Sequence, residues 1–268
     1  MQPVKEFVFT ERCKLFIMEG RNRTEVRNKM PYSFSYYDSI VWIVIAAVLG
    51  MIAQGAVKST FNRYSREAAS AGITAAQAAQ ALLQRAGIYD VTVTRVSGNL
   101  TDHYAPKEKV LRLSDSVYDN TSTAAIGVAC HEAGHAVQYA ESYAPIKLRA
   151  AIIPVTNIGS KLAMPLILIG LLLSYAADVS YFFVYLGIAC FGLSLVFQLV
   201  TLPVEFNASH RALVAIDEGG LLTEEEQKGA KKTLTAAALT YVAATATALA
   251  QLLRLLVIFG GNGRRRRD

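Results

Sequence analysis

Two histidines and a glutamate stand at a spacing that suits metal-dependent hydrolysis. The segment His131-Glu132-Ala133-Gly134-His135 matches the pattern H-E-x-x-H. Residues four positions apart share one face of a helix, so both imidazoles can converge on one ion. Neutral imidazole suits Zn²⁺, which in catalytic sites takes three protein ligands and leaves a fourth position to water. Glu132 is then placed to accept a proton as a zinc-activated water attacks a peptide carbonyl.

A third ligand must come from another part of the chain, because no further histidine of the metzincin pattern follows His135. Glu205 stands out, since it ends an apolar run in L-P-V-E-F-N-A-S-H-R-A, and a carboxylate so close to hydrocarbon is costly and by default indicates function. The alternative is a charge that pairs with Arg211 or snorkels to the surface. Glu141 lies on a different helical face from the histidine pair. The other acids have the composition of turns or helix starts: Asp217, Glu218, Glu224, Glu225 and Glu226.

The composition indicates a membrane protein rather than a nucleic-acid-binding one. Of the 268 residues, 53% are hydrophobic and 18% are charged. The apolar residues form four runs that predict transmembrane helices at 40–57, 150–175, 179–202 and 239–259, the second of them interrupted by prolines and polar residues. The net charge is +6, but its basic residues flank these runs or form the tail Arg264–Arg267, as expected for contact with a lipid bilayer. We therefore expect no nucleic-acid partner.

The polar stretches between these runs predict a small domain. Residues 1–39 are a polar N-terminal extension, of which 1–29 precede an alternative start at Met30. Residues 58–149 predict a catalytic α+β region with a helix from Thr74 to Ala86, strands near 91–96, 99–104 and 110–114, and a helix that carries the motif. The segment 203–235 follows the third span, and 260–268 is a basic tail. The expected fold is a mainly α membrane protein with about four transmembrane helices and a small α+β zincin-like domain.

Four spans constrain where the third ligand can lie. An even number of crossings puts 58–149 and 203–235 on one side of the membrane and both termini on the other, so a shared site draws on those two segments. Such a site also needs a group that stabilises the developing oxyanion. His210 and Arg211, which follow Glu205 on the same predicted helix, are the leading candidates. His103 and Tyr104, in L-T-D-H-Y on a possible edge strand, would hold a substrate backbone by β-augmentation.

These separated motifs resemble a known family. The segments H-E-A-G-H-A-V-Q, L-P-V-E-F-x-A-S-x-R-A and L-T-D-H-Y are similar to those of the YugP-type membrane zinc metallopeptidases of bacteria, over about residues 30–268. The resemblance implies a zinc-dependent peptidase with a gluzincin-like site, one zinc ion per chain and Glu205 as third ligand.

The chain departs from its relatives at two positions next to that ligand. It is more distantly similar to HtpX-like proteases, whose third-ligand motif is E-x-x-A-D, but Ser209 replaces the last acid here. The group that orients a zinc histidine must then come from elsewhere or be a hydroxyl. Asn207 stands where Asp is usual in the YugP pattern, so this site is expected to be less acidic.

The charges that flank the spans give conflicting signals about orientation. With a start at Met30 the leader has no Lys or Arg, whereas seven basic residues flank the spans on the catalytic side, and the positive-inside rule then places the active site in the cytoplasm. Counting 1–29 and the C-terminal arginines reverses this balance. We expect a multi-pass protein of the bacterial cell membrane that hydrolyses protein or peptide substrates, including membrane proteins. The alternative is a non-catalytic metal-binding scaffold or transport component, which would have no use for a base at Glu132.

Overall fold

The computed structural model describes residues 36–173 and 180–260. The predictions for the N-terminal extension and the basic tail therefore lie, wholly or in large part, outside the described residues. The described elements follow one another as α1 (Tyr36–Tyr64), α2 (Ala75–Arg85), β1 (Thr92–Val96), β2 (His103–Ala105), β3 (Val110–Ser114), α3 (Thr123–Ala140), α4 (Ala144–Leu173), α5 (Ser180–Glu218) and α6 (Glu224–Gly260).

Four of these helices are long and apolar enough to cross a membrane. The candidate spans are Ile40–Tyr64, Ala144–Leu173, Tyr181–Glu218 and Glu224–Phe259. Large apolar side chains on these helices are exposed, among them Trp42 and Leu172, as expected for surfaces that meet lipid. The prediction of a mainly helical chain with a few strands is confirmed, and the described residues contain four candidate spans. The segment 203–235 is itself helical, because α5 continues to Glu218 and α6 begins at Glu224.

The small sheet has the order β1-β3-β2, which makes β2 an edge strand. β1 pairs with β3 in parallel, and β2 pairs with β3 in antiparallel register with His103 opposite Arg112. The strand predicted at 99–104 is shorter and begins only at His103, because Leu100 adopts a left-handed conformation with φ of 54°. The carboxylate of Asp102 then accepts hydrogen bonds from the amide and hydroxyl of Ser114, at 2.7 and 3.0 Å, and ties the start of β2 to the end of β3.

The core of this domain lies between α2, the sheet and α3. A capping box begins α2, since Thr74 and Gln77 satisfy each other's backbone amides. Leu83 of α2, Leu111 of β3 and Ile126 of α3 are fully buried together. At about 25 cal/mol per Å² of apolar surface, each such side chain stabilises the fold by roughly 1.5–3 kcal/mol. The motif helix α3 is therefore held rigidly from the side opposite the long helices.

Close backbone contacts fix α3 against α5 and α6. A Cβ atom at Gly134 would lie only 2.8 Å from the carbonyl oxygen of Ala208 on α5. A Cβ atom at Gly127 would lie 3.1 Å from the Cβ of Ala230 on α6. Glycine at both positions lets the helix backbones approach as small residues do in membrane bundles. This approach brings the face of α3 that carries the motif histidines within side-chain reach of α5.

Candidate metal centre

Three side chains from two helices converge at the contact between α3 and α5. The Nε2 atoms of His131 and His135 lie 3.3 and 3.6 Å from Oε2 of Glu205. In a tetrahedral zinc site with bonds of about 2.1 Å, neighbouring ligand atoms are about 3.4 Å apart. The observed separations match that edge length. Glu132 lies beside the same cluster, since one ligand atom each of His131, Glu132 and His135 lie within 4.8 Å of one another.

Glu205 has the surroundings of a ligand to a cation. Its side chain is only 3% exposed, and Oε1 lies 3.2 Å from Nη1 of Arg149 on α4. Oε2 has no hydrogen-bond partner within the described part of the chain, although it faces both imidazoles. A buried carboxylate oxygen without a partner is costly unless a proton or metal ion satisfies it. The residues present therefore fit a divalent metal ion at this point.

The hydrogen bonds of Gln138 determine which nitrogen of His135 faces Glu205. The Gln138 amide donates to the Val204 carbonyl oxygen at 2.8 Å and to Oδ1 of Asn207 at 2.9 Å, so its Oε1 is the acceptor that lies 3.0 Å from Nδ1 of His135. Nδ1 must then carry the proton, and Nε2 of the neutral ring presents a lone pair to Glu205. Burial lowers the pKa of His135, but its contacts with Glu205 and Glu132 outweigh burial and raise it overall.

His131 is oriented by a hydroxyl. Oγ of Ser209 lies 3.1 Å from Nδ1 of His131, and Ser209 follows Glu205 by one helical turn on α5. If the ring donates from Nδ1, its Nε2 carries a lone pair, as in His135, and both lone pairs are available to a cation beside Oε2 of Glu205. The sequence left open whether the group that orients this histidine is a hydroxyl or comes from another part of the chain. In the structure it is the hydroxyl of Ser209.

The backbone of the edge strand holds Glu132. The amide of Tyr104 on β2 donates to Oε2 of Glu132 at 3.1 Å. The ring of Tyr104 packs beside Tyr139 of α3, with the two ring centroids 5.8 Å apart. Glu132 is thus turned toward the sheet, whereas Glu205 approaches the imidazoles from α5. The two carboxylates have different surroundings, which suits a base and a ligand respectively.

A cavity of about 1270 Å³ opens in front of these residues. Its walls come from α1, α3, α5, α6 and the loops around β2, and His131, Glu132 and Glu205 line it. Tyr241 of α6 also lines it, together with Glu205 and Glu132. The volume is in the range of ligand pockets or slightly above it, so it admits several residues of a polypeptide.

The structure does not bring His210 and Arg211 to this cavity. Both line a separate cavity of about 370 Å³ on the other side of α5. Arg211 is engaged there by Oε2 of Glu141, at 2.6 Å, and by Oδ1 of Asn207, at 2.8 Å. At 100° per residue, positions five and six after Glu205 point about 120–140° away from it, which explains this placement.

His103 turns away from the candidate metal centre. Its Nδ1 lies 2.9 Å from the carbonyl oxygen of Thr101, and its side chain is not among those that line the large cavity. Tyr104 contacts the site through its backbone amide rather than its hydroxyl.

Three residues at the site were not anticipated from the sequence. Gln138 carried a usable signal, because it follows His135 by three positions and so lies near it on the same helical face. Arg149 resembles an ordinary basic residue at the end of a span. Tyr241 is a single aromatic residue in an apolar helix, and nothing in its local sequence marks it.

Most of the chain is similar to one protein family and to one curated relative. Residues 39–260 match the family described as "Putative neutral zinc metallopeptidase". The chain belongs to this family. It is also 48% identical, over 220 residues, to the "Putative membrane protease YugP" of Bacillus subtilis (strain 168), an alignment that covers 82% of this chain and 96% of the relative. No solved structure matches the chain. The resemblance noted from the motifs is thereby confirmed.

Proposed function

We propose that this member of the zinc metallopeptidase family is a multi-pass membrane endopeptidase whose single zinc ion is held by His131, His135 and Glu205. The observation that carries the proposal is the buried Oε2 of Glu205, which lies at the edge length of a zinc tetrahedron from both Nε2 atoms. Zinc bound there supplies a Lewis acid and an activated water molecule.

Glu132 is the general base of this proposal. The Tyr104 amide engages Oε2 of Glu132 and leaves the other oxygen to accept a proton from the attacking water. β2 is an edge strand, and its backbone reaches Glu132. An extended substrate that pairs with this edge would lie beside Glu132. The strand that contains His103 and Tyr104 therefore remains the proposed substrate-binding element.

Tyr241 is the better candidate for stabilising the oxyanion. Tyr241 lines the cavity that contains Glu132 and Glu205, whereas His210 and Arg211 line another cavity. A phenol hydroxyl can donate to an oxygen on which negative charge develops, without itself becoming charged. Replacing Tyr241 with Phe therefore lowers kcat by about 10²–10³-fold, the cost of removing one such donor.

Hydrolysis of casein by the purified protein in detergent tests the proposal. We expect the wild type to contain about one zinc ion per chain, His135→Ala to contain none, and Glu132→Gln to retain zinc but lose about 10²–10⁴-fold in rate. Glu141→Gln is the matched control, because Glu141 ends the same helix but pairs with Arg211 away from the cavity. Casein hydrolysis by Glu132→Gln at the wild-type rate, or a wild type without zinc, would refute the proposal. A zinc-loaded wild type without proteolysis would favour the non-catalytic scaffold.

The active site is proposed to face the cytoplasm. The reason is the set of basic residues that flank the spans on the catalytic side, among them Lys58, Arg63 and Lys228. A reporter fused after Asp268 should be translocated, since four spans place the C-terminus opposite the site. A cytoplasmic reporter would reverse this orientation without affecting the chemistry.

A further inference from the structure

The cavity at the candidate metal centre continues along two of the membrane helices. A second cavity, of about 550 Å³, lies between α1 and α6, with Phe191 of α5 also in its lining, and Gln54 and Thr240 line both cavities. Along α6 its lining runs from Thr240 to Gln251, which corresponds to about 16 Å at 1.5 Å per residue. We call this second cavity the α1–α6 groove. Its two walls are candidate membrane spans, so its length covers about half of a hydrocarbon core of about 30 Å.

Residues that commonly bring membrane helices together border open space in the groove. Gly50 of α1 lines it, yet a Cβ atom added to Gly50 would meet no atom within 4 Å. Small residues usually allow close helix packing in membranes. Here α1 and α6 approach each other closely only at the end of the groove that is farther from the metal centre. There the hydroxyl of Thr247 reaches the carbonyl oxygen of Ala46 at 3.4 Å. Toward Gln54 and the metal centre the groove stays open.

Two side-chain amides in the groove have no hydrogen-bond partner in the described ranges 36–173 and 180–260. They belong to Gln54 on α1 and Gln251 on α6. Each amide offers two donors and one acceptor oxygen, and lipid tails satisfy none of them. A polar group in hydrocarbon is costly, so an occupant with its own donors and acceptors is favoured over an acyl chain.

We propose that the α1–α6 groove binds a membrane-spanning segment of a substrate protein in extended form and leads it to the metal centre. This inference rests on the proposed function above. An intact helix satisfies its own backbone amides and carbonyls, so it offers the two glutamine amides no backbone partner. An unwound segment fits better, and its exposed backbone amides and carbonyls are the partners that Gln54 and Gln251 require. The same unwinding presents a peptide bond to Glu132.

A pair of glycines on α1 gives a matched test. Gly50 and Gly55 both have open space for a side chain, but only Gly50 lines the groove. Gly50→Leu therefore fills the groove without a clash, and Gly55→Leu makes the same change on another face of the same helix. The substrates are casein and a single-span reporter protein. The reporter carries, at the end of its span, the casein sequence that the wild type cleaves.

In liposomes we expect Gly50→Leu to slow reporter cleavage about tenfold or more and to leave casein hydrolysis unchanged. Gly55→Leu should cleave both substrates at the wild-type rate. Equal rates for the two variants on the reporter, or an equal loss on both substrates, would overturn the inference. Cleavage of casein but not of the reporter by the wild type would overturn it as well. A wild type that cleaves neither substrate overturns the proposed function itself.

Photo-crosslinking identifies the occupant. In Glu132→Gln protein, benzoylphenylalanine is placed at Ala244, which lines the groove, or at Val242, which is exposed on another face of α6. With the same reporter as probe, we expect adducts through its span at Ala244 and few at Val242. Adducts at Ala244 that contain only lipid, or only a second copy of this chain, would show a different occupant and sink the inference.

Discussion

Replacing Gly134 with alanine should weaken metal binding without touching a ligand. The new Cβ would lie 2.8 Å from the carbonyl oxygen of Ala208, whereas ordinary contact begins near 3.4 Å. Both atoms are held by helix backbones, so α3 and α5 must move apart by about 0.6 Å, an overpacking that costs about 1–3 kcal/mol of folding stability. The ligands move with their helices. The separations of 3.3 and 3.6 Å at Glu205 then grow to about 3.9 and 4.2 Å, beyond the 3.4 Å edge of a zinc tetrahedron.

The expected loss of zinc affinity is about 10- to 100-fold, the range seen when a residue that orients a ligand is removed. Competition with a chromogenic chelator measures it, and chemical unfolding in the presence of excess chelator measures the stability of the metal-free protein. Gly192→Ala is the control, because Gly192 lies on α5 with open space around it. Wild-type zinc affinity in Gly134→Ala would refute the claim that the approach of α3 to α5 sets the ligand spacing.

Four further substitutions or treatments examine the surroundings of the ligands. Gln138→Met removes the acceptor of the Nδ1–H of His135 and should cost about 10- to 100-fold in zinc affinity, measured by the same competition. Ser209→Asp supplies a carboxylate to the other imidazole and should raise that affinity. Arg149→Met frees Oε1 of Glu205 to bind metal as a second donor, so the visible absorption of the Co²⁺-substituted protein should weaken, whereas Arg149→Lys should preserve it. Burial raises the pKa of Cys130 to about 12, so iodoacetamide at pH 8 should label Cys130 only after unfolding, as mass spectrometry would show.

Local sequence signals are sufficient to predict the structure where it depends on a few neighbouring residues. Thr74 and Gln77 satisfy the first amides of α2 on their own, and the apolar runs marked the helices long enough to span a bilayer. The full length of α5 was harder to predict. Its apolar run ends near Leu202, but the helix continues because Val204, Ala208, Ala212 and Ile216 repeat every four positions and are fully buried. This face of α5 can be recognised as a buried face only when α3 is known to pack against it.

The candidate site shows the same division between local and tertiary information. The spacing of His131 and His135 places both rings on one face of any helix. The even number of spans limits the third ligand to two segments, and Glu205 is distinguished within them because it ends an apolar run. Closeness in sequence to Glu205 favours His210 and Arg211 as oxyanion stabilisers. Their side chains leave α5 in another direction, however, and line a different cavity. Arg149 and Tyr241 reach the site from α4 and α6, and only the packing of these helices places them there.

In the proposed topology, the position of Glu205 along α5 places the metal centre at the boundary between water and bilayer. Glu205 follows Ser180 by 25 residues, or about 38 Å of helix, whereas the hydrocarbon core is about 30 Å thick. A helix that enters the core near its first residue therefore carries Glu205 about 8 Å past the opposite edge, at the level of the lipid headgroups. Because α5 is one continuous helix, the metal centre cannot move along the membrane normal without it. In the proposed mechanism a peptide bond inside the bilayer must instead travel to the centre, and the α1–α6 groove is the path proposed for it.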